Sequence, residues 1–73
     1  MPKFGRRFRE CRMAAGLTQV AAAKLMEIGH SSISEYEADV SEPTASVVYK
    51  MATVYGVTVD YLLGLSDVND WGE

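Results

Sequence analysis

A chain of 73 residues makes one domain, and at that size only about 60% of the unfolded surface is buried, so stability must come from a well-filled core, which a 48% apolar fraction allows. A single cysteine excludes an internal disulfide, and with neither a signal-peptide pattern nor an apolar run of membrane-spanning length, a reducing cytoplasm is the expected location. The net charge of −3 divides unevenly: residues 1–26 carry six cations against Glu10 alone, a net +5, and residues 27–73 carry Lys50 against nine acids, a net −8.

In chain order, Phe4, Phe8, Cys11 and Ala15 recur at spacings of four, three and four and predict an apolar stripe on a first helix whose other faces carry the arginines; Gly16 ends it. Thr18 is a suitable N-cap for a second helix reaching about Met26, where Ala21, Ala22 and Ala23 keep side chains small enough for close helix contact. Ile28 and Gly29 form the turn. A third helix, about 30–38, turns Ile33 and Tyr36 to one side and leaves His30, Ser31, Ser34 and Glu35 on the other.

After the loop from Asp39 to Pro43, Thr44 caps a fourth helix with Val48, Met51, Ala52 and Tyr55 at i, i+3, i+4 and i+7, closed by Gly56. Thr58 starts a short fifth helix with Val59, Leu62 and Leu63 inward, and Gly64 stops it. The pattern predicts an all-α, compact five-helix domain over residues 1–66 and a polar tail over 67–73. Tyr61, Leu65, Val68 and Trp71 put apolar material at the C-terminal end, a candidate homodimer contact. One histidine, one packed cysteine, no glycine-rich phosphate loop and no metal-ligand cluster argue against an enzyme, a cofactor or a metal site.

The ordered set Gly16-Leu17-Thr18-Gln19, Ala23, Ser32-Ile33-Ser34 with Tyr36-Glu37, Pro43-Thr44 and Gly56 to Gly64 resembles the Cro/cI-type, or XRE-like, helix-turn-helix family of phage repressors and bacterial regulators. The resemblance covers residues 6–66 and implies a lambda-repressor-like domain whose helix 30–38 enters the DNA major groove. It implies that Gln19 touches a phosphate and braces that helix, and that His30, Ser31 and Glu35, with Ser32 beside them, read bases. It also implies a buried ion pair between Arg12 and Glu37.

Two departures from the family pattern stand out. Glu27 occupies a turn position where the family usually has glycine, which predicts a reshaped turn with Gly29 taking the strain. The loop after the third helix, where the family has Lys and Arg for phosphates, reads Ala38-Asp39-Val40-Ser41-Glu42. DNA affinity of one domain alone is therefore expected to be weak, with a dimer supplying the rest. The alternative is an antirepressor- or antitoxin-like module whose Glu35, Asp39 and Glu42 dock on a basic partner regulator.

Overall fold

Three of the helices begin at a threonine whose hydroxyl accepts an N–H of the first turn, and these three starts organise the chain. The computed structural model describes residues 3–66. In it α1 spans Gly5–Ala14, α2 Gln19–Met26, α3 His30–Glu37, α4 Ala45–Tyr55 and α5 Val59–Leu62. Thr18 Oγ1 accepts from Ala21 N (3.0 Å), Thr44 Oγ1 from Val47 N (3.3 Å) and Thr58 Oγ1 from Tyr61 N (3.0 Å), each satisfying a donor that the helix leaves unpaired. At its other end α4 closes on Gly56, whose φ of 73° lets its N–H return to Ala52 O.

Phe8, Met26, Ile33, Met51 and Leu62 are fully buried, one from each helix, so a single core holds the five elements together. Ala22 and Ala23 are equally buried and carry no side chain beyond Cβ, which lets α2 lie close to both α3 and α4. Met51, Ala52 and Tyr55 form the inner stripe of α4, with Val48 partly covered.

The first helix departs from its predicted stripe. Ala15 lies past the end of α1 and is exposed, and Arg12 is the buried residue on that turn instead. Gly5 is buried as well, at the start of the same helix. No helix among the described residues is long and apolar enough to cross a membrane. Val68, Trp71 and the tail 67–73 lie outside the described residues.

Candidate nucleic-acid interface

The link between α2 and α3 corrects the expectation for its strain. Glu27 itself is left-handed, at φ 60° and ψ 43°, whereas Gly29 is extended, at φ −73° and ψ 144°, and serves as N-cap of α3. The reason lies in how α2 closes: Glu27 N donates to Lys24 O (3.2 Å) and Ile28 N to Ala23 O (3.0 Å), a six-to-one closure that needs a left-handed residue at position 27. A residue with a Cβ adopts that conformation at a cost of about 1–2 kcal/mol. Tertiary packing holds it, since Ile28 joins the core margin directly after.

With that turn fixed, α3 starts at His30 and sorts its residues by face. Ile33 is buried and Tyr36 half-buried, while His30, Ser31, Ser34 and Glu35 are exposed; Ser32 is half-buried. The exposed face thus carries two serine hydroxyls, one carboxylate and one imidazole, with no lysine or arginine.

Behind it, Glu37 gathers three donors. Arg12 Nε donates to Glu37 Oε2 (2.6 Å), Arg12 Nη2 to Oε1 (3.1 Å) and Gln19 Nε2 to Oε1 (3.2 Å), while Arg12 Nη1 reaches Leu17 O (2.8 Å). Both charged side chains are nearly removed from water, with 11% and 6% exposure for Arg12 and Glu37. Buried together they satisfy each other; either alone would leave an uncompensated charge, which typically costs about 3–5 kcal/mol. The hydrogen bond to Glu37 raises the Arg12 pKa, outweighing burial, so the guanidinium stays charged. α1, the start of α2 and the end of α3 therefore meet at one carboxylate.

Two protonated groups lie near this node. Burial, then the charge of Glu37, pushes the Tyr55 phenol well above its ordinary pKa, and among the described residues its buried hydroxyl has no hydrogen-bond partner. Burial likewise pushes the Cys11 thiol up.

Gln19 opens onto a cleft of about 360 Å³ lined also by Arg9, Arg12, Ser34, Glu37 and Ala38. Arg9 is exposed there. Sequence alone offers Arg9 as one of several first-helix cations able to assist at DNA, and its position one turn before Arg12 on α1 is the signal that sets it beside this cleft. Among the described residues, Arg6 and Arg7 approach Glu10 (3.3 and 3.8 Å) and Arg7 lies over the Tyr61 ring (4.3 Å), so Arg9 is the α1 arginine without an ion-pair partner.

The acidic loop divides. Asp39 is left-handed, at φ 61°, and its Oδ1 accepts from Gly5 N at 3.0 Å, capping the start of α1. Glu35 Oε1 accepts from Ser41 Oγ at 3.3 Å. Glu42 is exposed and borders a hollow with Lys3, Phe4, Phe8 and Pro43, beside the start of α1. The structure thus brings Arg12, Gln19 and Glu37 into one cluster and His30, Ser31 and Glu35 onto one face, and sets Asp39 and Glu42 against α1.

This geometry has known counterparts. ImmR, a helix-turn-helix-type transcriptional regulator of Bacillus subtilis, is 39% identical over 69 residues, 94% of this chain and 54% of that protein. The chain therefore spans about half the length of that relative. The restriction-modification controller protein C.AhdI of Aeromonas hydrophila superposes with a TM-score of 0.78 at 31% identity, covering 84% of this chain and 92% of that one. The P22 c2 repressor, solved in complex with a synthetic operator, has the same fold, with a TM-score of 0.80 at 24% identity over 90% of this chain and 100% of that one. Residues 8–62 match the helix-turn-helix family model, and with α2, the Glu27 turn and α3 arranged as described, the chain belongs to that family.

Proposed function

We propose that this chain is the DNA-reading domain of a transcriptional regulator of phage or bacterial origin, acting in the cytoplasm. The observation that carries the reading is the face of α3: His30, Ser31, Ser34 and Glu35 are exposed together on a helix whose opposite face is fixed by Ile33 and Glu37. In a major groove the imidazole donates to guanine N7 or O6, the serine hydroxyls bond bases or phosphates, and Glu35 accepts from the cytosine amino group. Gln19 and Arg9 border the cleft beside this face, and in this reading they meet the phosphate backbone.

Few cations serve phosphates, so one domain binds weakly and two joined domains on paired half-sites supply the affinity. Tyr61 and the exposed Leu65 offer apolar surface for that pairing. Docking on a basic protein would draw on Glu35, Asp39 and Glu42, two of which are already hydrogen-bonded within the fold.

The test is a titration against DNA selected from a random pool, repeated over several salt concentrations. The expected result is salt-dependent, sequence-selective binding, with Arg9→Ala reducing the slope of log K against log salt by about 0.9 per domain on every sequence. His30→Ala should instead relax selectivity at one base pair and leave that slope unchanged. Absence of DNA binding at low salt would overturn the reading.

A further inference from the structure

We propose that the contact between Asp39 and Gly5 sets the placement of the recognition helix on DNA, which makes Asp39 a positioning residue for base reading; this rests on the DNA-reading function above. The contact joins two places that each need the other. α1 starts at Gly5 without a side-chain cap from its own N-cap residue, Phe4, and receives its cap from across the fold, 34 residues away, through Asp39 Oδ1 at 3.0 Å. A carboxylate on a helix-start N–H is a charge-assisted bond supported by the helix dipole.

Asp39 makes this bond from a left-handed backbone, at φ 61°. Glu27, at φ 60° on the other side of α3, is also left-handed, but among the described residues its exposed side chain bonds nothing. The strain before the recognition helix closes α2, and the strain after it makes a specific long-range bond.

Gly5 completes the joint from the opposite side. A Cβ at this position would collide with Glu37 O and lie 2.7 Å from Glu37 C and 2.9 Å from Tyr36 O, so the first turn of α1 rests directly on the last backbone of α3. Beyond that end, Asp39 N returns to Tyr36 O (3.3 Å) and Val40 N to Glu35 O (2.9 Å), so the loop and the helix end move as one piece. Arg12 and Glu37 hold α3 at its side chains; Gly5 and Asp39 hold it at its backbone, where its tilt is set. Base contacts from His30, Ser31 and Glu35 depend on that tilt to within about half an ångström.

The test compares three variants of the whole chain on selected and unrelated DNA at one salt concentration, together with the salt slope and the thermal midpoint. Asp39→Asn keeps the acceptor oxygen and removes the charge; it should bind both DNAs more tightly and keep the ratio between them within about twofold of wild type. Asp39→Gly relieves the left-handed strain but deletes the bond. It should keep the salt slope and a near-native thermal midpoint while lowering the specific-to-unrelated ratio about tenfold, the scale of one lost base contact. Gly5→Ala, whose Cβ meets the backbone of Glu37 and Tyr36, should lower that ratio from the other side of the joint together with the thermal midpoint.

If Asp39→Gly keeps the ratio within about twofold of wild type, as Asp39→Asn should, the bond does not set selectivity and the proposal falls. If both lose selectivity equally, the charge rather than the bond matters and it falls too. Wild-type protein that binds no DNA selectively would overturn the DNA-reading function together with this inference, and so is told apart from either of those results.

Discussion

Glu27 shows how a single side chain can be at odds with its own backbone. It stands left-handed at φ 60° with an exposed carboxylate that bonds nothing among the described residues, so glycine in its place would relieve conformational strain and lose no contact. Glu27→Gly should raise stability by about 1 kcal/mol, read as a higher urea midpoint at unchanged m. The missing glycine was visible in the sequence, but the residue that bears the strain was not, because that is decided by which carbonyls of α2 the next two N–H groups find. Asp39 was harder still. As a letter it was one more acid in the loop after the third helix, and its partner lies 34 residues upstream, beyond the reach of any local pattern.

Helices were legible where caps and periodicity agreed. The starts at Thr18, Thr44 and Thr58 and the stripe Met51, Ala52, Tyr55 follow from local chemistry, and the structure has them. α1 was legible as a helix but not in its last turn: apolar spacing placed Ala15 inward, whereas the helix ends at Ala14 and the buried residue is the charged Arg12. Hydrophobic patterning cannot see a guanidinium that is buried because a carboxylate from another helix meets it. Among the caps, Thr18 also begins the segment that carries Gln19. Thr18→Ala should cost about 1 kcal/mol in thermal unfolding by freeing Ala21 N, and Thr18→Ser should recover most of it, since serine keeps the acceptor.

Taken as a whole molecule, the fold keeps two weak acids neutral. Unfolded, Cys11 and Tyr55 ionise at their ordinary values of 9.0 and 10.0; folded, burial raises both. Above about pH 9 the unfolded chain therefore binds fewer protons than the native one, and stability, fully present below that pH, falls as pH rises. Urea midpoints should accordingly drop between pH 8 and pH 10.5. Tyr55→Phe should flatten part of that decline at little cost near neutrality, because the hydroxyl it removes bonds nothing among the described residues.

The sorting of α3 has one further consequence. Its holding residues, Ile33 and Glu37, and its outward residues, His30, Ser31, Ser34 and Glu35, do not overlap. Exchanges at exposed positions of this kind typically change stability by no more than about 0.5 kcal/mol. A lineage, or a combinatorial library, can therefore rewrite the outward four while the scaffold beneath them stays the same.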